Sequence, residues 1–170
     1  MTQHTVVAFY SHDPTKYPAN KQHLHCLSNF SPHPVTIDGK LYLTSEHRFQ
    51  SIKSPDLQRR EEIRLAPTPA AAAAMGRDRA HPMRDDWDQV KEAVMKEVLM
   101  AKFTRNKICM DALLRTGNAY LEERTKNDSF WGSGSDMPDG TGKNRLGYLL
   151  MEVRSLIMSM NSASNAPWQT

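Results

Sequence analysis

A short helix with a clear start and a clear end constrains the fold most strongly, in the stretch TSEHRFQSIKS at residues 44–54. Thr44 or Ser45 can act as its N-cap, because either hydroxyl can accept hydrogen bonds from the unpaired N–H groups of the first turn. The helix is predicted to end at Ser54, since the residue before Pro55 is disfavoured in the helical conformation. Local chemistry therefore sets both ends, and spacing predicts which residues share a face.

Three polar or charged side chains of this helix share one face. Glu46, Gln50 and Lys53 are spaced at i, i+4 and i+7, with Phe49 beside them. The rise from Glu46 to Lys53 is roughly 10 Å, but side chains lean toward the helix N-terminus, so the lysine can reach back toward the carboxylate. The pair is either catalytic or a surface ion pair that complements the helix dipole. Spacing alone favours the ion pair, because structural ion pairs outnumber functional ones.

Size and composition predict one globular domain. The chain has 170 residues, of which 39% are hydrophobic and 24% charged, enough to bury a core without cross-links. The domain is predicted to cover residues 1–160, with the small and polar residues 161–170 forming a flexible tail. The net charge of +3 permits a phosphate-bearing ligand or a nucleic acid and requires neither.

The sequence favours a cytoplasmic protein. The first ten residues have no basic region followed by an apolar core, so no secretory signal is predicted. No apolar run reaches the length of a membrane span, so no membrane association is expected. The two thiols, Cys26 and Cys109, suit a reducing compartment because their spacing is not that of a disulfide scaffold or a metal site.

A metal site is considered and not predicted. His23, His25 and Cys26 lie close together in sequence, but no second group of metal ligands is visible elsewhere in the chain. They are interpreted as loop residues. The sequence therefore predicts neither a metal nor another cofactor.

The strands are predicted from β-branched and aromatic runs. Residues 5–10 and 119–125 each match a short strand, and residues 35–43 match a hairpin around an Asp38-Gly39 turn. The register of that hairpin pairs Val35 with Tyr42 and Ile37 with Lys40. Leu41 and Leu43 then lie on the opposite face of the hairpin. Either other parts of the protein pack against both faces, or the turn is longer than two residues. Both alternatives remain open.

Helices dominate the rest of the chain, and only residues 11–33 are predicted to be a long loop. Five further helices are predicted from caps and apolar spacing, at residues 55–65, 69–75, 86–103, 106–116 and 145–160. The predicted caps are Ser54 for the first, Thr68 for the second and Asp85 or Asp86 for the third, while a left-handed Gly76 ends the second and Gly117 ends the fourth. The third helix has a predicted core stripe of Trp87, Val90, Val94, Val98 and Ala101. The predicted fold is α+β, predominantly helical, a compact single domain with a small sheet that includes the hairpin near 35–43.

A glycine-rich loop at residues 127–147 is the second informative stretch. Asn144 is predicted to cap the helix that follows, and the N–H groups and positive dipole of that helix end would attract a phosphate. Lys143 and Arg145 would add charge, and Trp131 offers a flat face for a base or sugar ring. The structural alternative is a glycine-rich turn with a capping asparagine and a core tryptophan. The spacing is not that of a Walker loop.

Five blocks of the chain, in this order, resemble the NADAR (YbiA-like) family. They are LSNF at 27–30, TSEH at 44–47 with Phe49, Gln50 and Lys53, MGR at 75–77, Asn127-Asp128 with Trp131-Gly132, and GKNRLGYLLM at 142–151. The resemblance extends over roughly residues 5 to 158. It implies an N-glycosidase that cleaves the bond between ribose C1′ and an exocyclic amino group. Two substrates are implied: phosphoribosylamino-pyrimidine intermediates of riboflavin biosynthesis, and ADP-ribose attached to guanine in nucleic acid.

The resemblance also implies the site residues. Glu46, Lys53 and Asp128 are expected to be catalytic. The residues expected to bind the ligand are Asn29, Phe30, Gln50, Gly76, Arg77, Trp131, Gly132, Gly142, Lys143, Asn144 and Arg145. The chain departs from the family at Arg48, which replaces an aromatic residue, and at Ser51-Ile52 and Ser54 beside the lysine. These changes leave the pocket wall and the substrate preference open.

Two mechanisms and a non-enzymatic alternative follow from these expectations. Glu46 can protonate the leaving amine or assist opening of the ribose ring. Lys53 can form a Schiff base with the opened sugar if it is uncharged, although the ordinary pKa of lysine is about 10.4. A charged Lys53 would instead contact a phosphate or the ring oxygen. The alternative function is a non-catalytic module that binds ADP-ribose or another nucleotide through the glycine-rich loop and Trp131.

Overall fold

The computed structural model describes residues 5–125, 128–134 and 142–164. The strands are β1 (Val6–Phe9), β2 (Val35–Ile37), β3 (Lys40–Tyr42) and β4 (Tyr120–Glu123). The α-helices are α1 (Ser45–Ser51), α2 (Leu57–Arg64), α3 (Pro69–Arg77), α4 (Trp87–Arg105), α5 (Lys107–Leu114) and α6 (Arg145–Ser164). Two 3₁₀ helices span Pro14–Lys16 and Ala19–Leu27. The prediction of a compact, mainly helical α+β domain is confirmed.

The strands form two separate two-stranded sheets. β1 pairs in parallel with β4, so Phe9 lies beside Glu123 at the carboxyl ends of both strands. β2 and β3 form the predicted antiparallel hairpin, in the predicted register. Asp38 and Gly39 have φ values of 53° and 73°, as a two-residue turn with matching twist requires.

The exposure of the outer face of the hairpin shows that neither alternative for Leu41 and Leu43 applies. Leu41 and Leu43 are 52% and 48% exposed, so neither a second cover nor a longer turn is needed. The inner face packs Val35, Ile37 and Tyr42 against Val98 of α4.

The prediction of a loop at residues 11–33 is wrong. The segment Ala19–Leu27 is a 3₁₀ helix that buries Leu24, Cys26 and Leu27. In a 3₁₀ helix residues i and i+3 eclipse each other, so Leu24 and Leu27 share a face. A threefold spacing differs from the periods of α-helices and β-strands, so the sequence of this segment resembles an irregular loop.

Several helix ends differ from the predicted ones. Asp56, not Ser54, caps α2, and its side chain accepts from Gln58 N at 2.9 Å. Gly76 lies inside α3 and is not its left-handed cap, because α3 continues to Arg77 and Gly76 does not adopt a positive φ. The Thr68 cap is confirmed, since its hydroxyl accepts from Ala71 N at 3.1 Å.

The long helices also differ in detail from their predictions. α4 begins at Trp87 after Asp86, and α6 continues to Ser164, four residues into the predicted tail. Residues 165–170 of that tail lie outside the described residues. In the predicted stripe of α4, Trp87 and Val98 are buried, whereas Val90, Val94 and Ala101 are only partly buried. The stripe is rotated because α4 packs against α1, α5, α6 and the hairpin at once.

The main core lies between α4, α5, α6, the first strand pair and the longer 3₁₀ helix. Its largest fully buried side chains include Phe9, Leu27, Leu99, Phe103, Leu113 and Leu150. Across the described residues, no helix combines the length and apolarity needed to cross a membrane.

Candidate active site

Helix α1 lies in the middle of the protein and is buried over all seven of its residues. The Thr44 hydroxyl caps it by accepting from His47 N, and the imidazole of His47 contacts Ala66 O at 3.0 Å. α2, α3 and α4 surround it. Glu46 is only 9% exposed, so the interpretation of a solvated surface ion pair does not fit its position.

One cleft brings together the three residues predicted to be catalytic. Glu46, Lys53 and Asp128 all line a cavity of about 390 Å³. Of the residues predicted to bind the ligand, five also line it: Asn29, Phe30, Gln50, Arg77 and Trp131. Residues that sequence reasoning did not select complete the wall: Ser28, Phe49, Met95, Glu123, Thr125 and Leu146.

Glu46 is held in place by its own helix. Gln50, one turn later, donates from Nε2 to Glu46 Oε1 at 2.6 Å. The backbone N–H of Glu46 donates to Asn29 O at 3.1 Å, which ties the cleft loop to α1. Burial raises the pKa of Glu46, and this effect outweighs the hydrogen bond from Gln50 and the nearby charge of Lys53.

Lys53 extends its amine between two aromatic rings. Nζ lies 5.2 Å from the ring centroid of Phe49 and 5.5 Å from that of Trp87. Burial lowers the pKa of Lys53, and the opposing effect of Glu46 is smaller. Among the described residues, Lys53 forms no ion pair with a carboxylate. The direction of this pKa shift favours an uncharged, nucleophilic amine.

Asp128 is oriented by the backbone that follows it. Its Oδ1 accepts from Phe130 N at 3.0 Å and from Trp131 N at 2.9 Å. Trp131 in turn packs edge-on against Phe49 of α1, with ring centroids 5.4 Å apart. The loop therefore presents the Asp128 carboxylate to the cleft in a fixed position.

Glu123 is the functional candidate that sequence reasoning missed. It ends β4 and lines the same cleft, and burial raises its pKa to about 8, with smaller contributions from Asp128 and Glu46. Its carboxyl group is therefore mostly protonated at neutral pH. The available signal was its place at the carboxyl end of a strand, where ligands bind in parallel sheets. The pairing of β4 with β1, which makes that edge parallel, was not predicted.

The glycine-rich loop supports the cleft and contributes less of its lining than predicted. Asn144 does not cap α6 through its side chain, because Nδ2 donates to Tyr120 Oη and Leu121 O while Oδ1 accepts from Glu123 N. Arg145 pairs with Glu92 of α4.

The other predicted loop residues that the structure describes also lie outside the lining. Lys143 Nζ lies 5.5 Å from the centroid of the Phe130 ring. Gly132 and Gly142 permit close packing: an added Cβ would lie 2.7 Å from Asp128 O and 2.1 Å from Ser133 C, respectively. Asn127 and Gly140 fall outside the described residues.

A larger groove of about 780 Å³ adjoins the cleft. Gln50, Lys53 and Arg77 line both, so the two spaces share a wall. Arg59 and Arg79 also line the groove, and Arg59 pairs there with Glu62 at 3.0 Å and with Asp78 at 3.6 Å. Gly76, predicted to bind the ligand, lines this groove and not the cleft.

Comparison with known proteins agrees with this architecture. A sequence model of the NADAR domain matches residues 8–158, which include all of the cleft residues. The chain belongs to the NADAR family. The resemblance seen in the five sequence blocks is thereby confirmed.

Two relatives and one solved structure are similar to this NADAR protein. N-glycosidase YbiA of Escherichia coli (strain K12) is 51% identical over 127 residues, which are 75% of this chain and 78% of that protein. Riboflavin biosynthesis protein VVA0006 of Vibrio vulnificus is 36% identical over 128 residues, 75% of this chain and 34% of that longer protein. The NMR structure of E. coli YbiA superimposes with a TM-score of 0.82 at 41% identity, covering 100% of this chain and 94% of that one.

The departures of this NADAR protein from the family pattern lie outside the lining of the cleft. Arg48 points away from it and donates to Tyr42 Oη at 3.1 Å, with Asp38 and Glu97 each 3.3 Å away. Ser54 lines the adjoining groove. Arg48 therefore does not change the wall of the cleft. Ser54 forms part of the wall of the groove, so it would contact a ligand bound there.

Gly76 positions Gln50, which leads to a prediction for Gly76→Ala. An added Cβ would lie 2.1 Å from Gln50 Oε1 and 2.9 Å from Gln50 Cβ, so Gln50 must move and release Glu46. We expect kcat/KM to fall by about 10²-fold, the scale of an ångström-sized misplacement. Steady-state kinetics measure this, and Ala74→Gly, on the exposed face of α3, is the matched control with unchanged kinetics. Equal rates for Gly76→Ala and the unmodified protein would contradict the role of Gln50.

Proposed function

We propose that the Glu46 cleft hydrolyses the bond between ribose C1′ and an exocyclic amino group. The chain is an N-glycosidase, a hydrolase that acts on N-glycosyl compounds, in keeping with its family and its 51% identity to N-glycosidase YbiA. One observation carries the assignment to this cleft. Three carboxyl groups and one lysine with a lowered pKa line a single cleft.

The carboxyl groups divide the acid–base work. Breaking the C1′–N bond requires a proton on the departing amine and stabilisation of positive charge on the sugar. Glu123 donates the proton, because its raised pKa keeps it protonated near neutral pH. Asp128, fixed by two backbone N–H groups, faces the developing positive charge.

Lys53 provides the covalent route. Opening of the ribose ring converts the amine-linked sugar into an imine at C1′. The neutral amine of Lys53 attacks C1′, the heterocyclic amine departs, and water then releases the sugar from the Lys53 Schiff base. Glu46, whose charge acts on Lys53, accepts the proton that the lysine loses and returns it in the hydrolytic step.

The size of the cleft supports a phosphoribosylamino-pyrimidine as the first candidate substrate. A cavity of about 390 Å³ suits one sugar and one small heterocycle. Arg77, which lines the cleft and the groove, is placed to meet the phosphate. A relative in this family carries the name riboflavin biosynthesis protein, in keeping with such a substrate.

The adjoining groove supports a second candidate, ADP-ribose on the amino group of guanine in nucleic acid. That substrate has a diphosphate and a second nucleoside beyond the ribose. The groove of about 780 Å³ offers the volume to hold them, and Arg77 and Arg79 along it can pair with the diphosphate.

Purified protein assayed on both substrates side by side tests the proposal. We expect sugar release from the ribosylaminopyrimidine phosphate, lost in Glu46→Gln and Asp128→Asn. Arg79→Ala should lower kcat/KM about tenfold on guanine-linked ADP-ribose and leave the pyrimidine reaction unchanged, if the groove holds the diphosphate. Tight binding of ADP-ribose without turnover of either substrate would instead support a non-catalytic binding module. Near-normal rates in both carboxyl variants would exclude this cleft as the active site.

A further inference from the structure

A second cluster of reactive side chains lies outside the cleft, at the carboxyl-terminal end of the longer 3₁₀ helix. Cys26 is fully buried, and half-buried His25 and His33 lie against it. The Cys26 Sγ is 3.9 Å from His25 Nε2 and 3.8 Å from His33 Nε2. The three ligand atoms all lie within 4.8 Å of one another. The proposed reaction uses none of them.

The outer nitrogen of each imidazole is engaged by a protein oxygen. His25 Nδ1 lies 2.7 Å from Gln22 O, and a carbonyl can only accept, so Nδ1 carries the hydrogen. His33 Nδ1 lies 3.0 Å from Ser31 Oγ, which can accept from it. With hydrogen on Nδ1, the lone pair of each neutral ring is on Nε2. This is the arrangement of histidines that bind metals, whose other nitrogen donates to a carbonyl or hydroxyl. In His33 the Nε2 nitrogen lies against the thiol, whereas the Cys26 Sγ is 3.9 Å from His25 Nε2 and 4.0 Å from His25 Nδ1, so the His25 ring must rotate to direct Nε2 at a shared ion.

We propose that His25, Cys26 and His33 bind a divalent transition metal ion of the zinc type. In a tetrahedral zinc site, sulfur and nitrogen ligands lie about 3.5 Å apart. The observed sulfur–nitrogen separations of 3.8 and 3.9 Å are longer by a few tenths of an ångström, and the two histidine nitrogens, which lie within 4.8 Å of each other, must also approach each other around the ion. The two half-buried histidines give the ion a path from solvent, and a water molecule or an external ligand completes its coordination.

The position of the site indicates a structural role. Its ligands come from both sides of the segment Ser28–Phe30, which lines the cleft. An ion held between residue 26 and residue 33 closes this short loop and so restrains Asn29 and Phe30. The metal therefore stabilises one wall of the cleft without entering it.

The nearest competing explanation is a metal-free polar cluster built on a buried lysine. Lys102 Nζ donates to Ser28 O at 2.8 Å and to Ser31 Oγ at 2.7 Å, behind the histidines. In that arrangement its charge, and not a metal, would act on the Cys26 sulfur. Both oxygens accept from Lys102 without using the three ligand atoms, so the lysine and the ion occupy different positions.

Titration of the chelator-treated, full-length protein with Co²⁺ tests the proposal. We expect one equivalent to produce a thiolate-to-cobalt charge-transfer band in the near ultraviolet and tetrahedral d–d bands in the visible, both abolished by Zn²⁺. Cys26→Ser should remove the charge-transfer band, and His33→Asn, at a half-buried position, should weaken binding at least about 100-fold. His23→Asn, on the same 3₁₀ helix but outside the cluster, should bind as the unmodified protein does.

A stability measurement gives a second readout. Because the ion binds only the folded chain, saturating Zn²⁺ should raise the Tm of the unmodified protein and of His23→Asn, but not that of His33→Asn. The absence of a charge-transfer band at stoichiometric Co²⁺, or an unaltered band in both Cys26→Ser and His33→Asn, would overturn the proposal and leave the Lys102 cluster.

Discussion

Glu123→Gln is expected to lower kcat/KM by about 10²–10⁴-fold at neutral pH, the usual loss when a general acid is removed. Glutamine keeps the shape and hydrogen-bonding groups of the side chain but has no proton to transfer. The measurement is steady-state release of the sugar from a ribosylaminopyrimidine phosphate. Glu122→Gln is the matched control: it is the preceding strand residue, it pairs with Arg124 at 3.2 Å, and it does not line the cleft.

The pH dependence of the reaction has a definite sign. Glu123 acts in its protonated form, so kcat/KM of the unmodified protein should fall as the pH rises through about 8. Glu123 interacts with the buried Glu46, so the limb reports the shared titration of these two acids. In Glu123→Gln the residual activity should lack this alkaline limb. An unchanged limb in the variant would assign it to another group.

Stability should follow the same titration. The pKa of Glu123 is raised from its ordinary value of 4.5 to about 8 in the folded protein, so the unfolded chain loses this proton first. The contribution of Glu123 to stability is therefore complete below pH 4.5 and is lost as the pH rises toward 8. Glu123→Gln should thus raise Tm relative to the unmodified protein at pH 8 but not at pH 4. Equal pH dependence of Tm in both would contradict the buried acid.

Lys53→Ala is expected to abolish a covalent adduct and lower kcat by about 10³-fold or more, as loss of a nucleophile does. Borohydride reduces a Schiff base to a stable amine, so treatment during turnover should leave the sugar attached to the unmodified protein. Mass spectrometry measures the adduct. Lys91→Ala is the matched control, because Lys91 Nζ lies 4.2 Å from the centroid of the Phe130 ring near the cleft and pairs with Asp88. It should retain the adduct.

Lys53→Arg separates the covalent route from a purely electrostatic one. Arginine keeps the positive charge but cannot form the Schiff base. If Lys53 only contacts a phosphate or the ring oxygen, Lys53→Arg should keep a substantial part of the activity and the unmodified protein should give no adduct. That pair of results would assign the reaction to direct hydrolysis by the carboxyl groups.

Several features set by neighbouring residues were predicted correctly from the sequence, although the cap of α2 is Asp56 and not the predicted Ser54. The Thr44 and Thr68 caps and the Asp38-Gly39 hairpin depend on hydrogen bonds and backbone angles within a few residues. The shared face of Glu46 and Gln50 follows from helical geometry, and their hydrogen bond confirms it. The predicted helix end at Ser54 is wrong: α1 ends at Ser51, so Lys53 enters the cleft from the turn that follows the helix. That these residues share a cleft with Asp128 was implied by the family resemblance. Their catalytic roles, and the cytoplasmic location, remain predictions.

Features set by distant contacts were not predicted. Gly76 was predicted to end its helix. It instead lies inside the helix, where Gln50 of α1 packs so closely that a side chain at position 76 would not fit. Asn144 was predicted to cap the last helix, but its side chain forms hydrogen bonds to the backbone of β4. Glu123 lies in the predicted strand at 119–125, but its place in the cleft depends on the pairing of that strand with β1. In each case the decisive partner lies on another element, which local patterns do not reveal.

The parallel pairing of β1 with β4 has a consequence for the order in which the enzyme matures. These strands are more than one hundred residues apart in sequence, and closing so large a loop is slow and comes late in folding. Helix α1, with Glu46, can be assembled by its helical neighbours well before that closure. A growing chain on the ribosome would therefore form the Glu46 side of the cleft early and gain Glu123, the proposed proton donor, only when β4 pairs with β1.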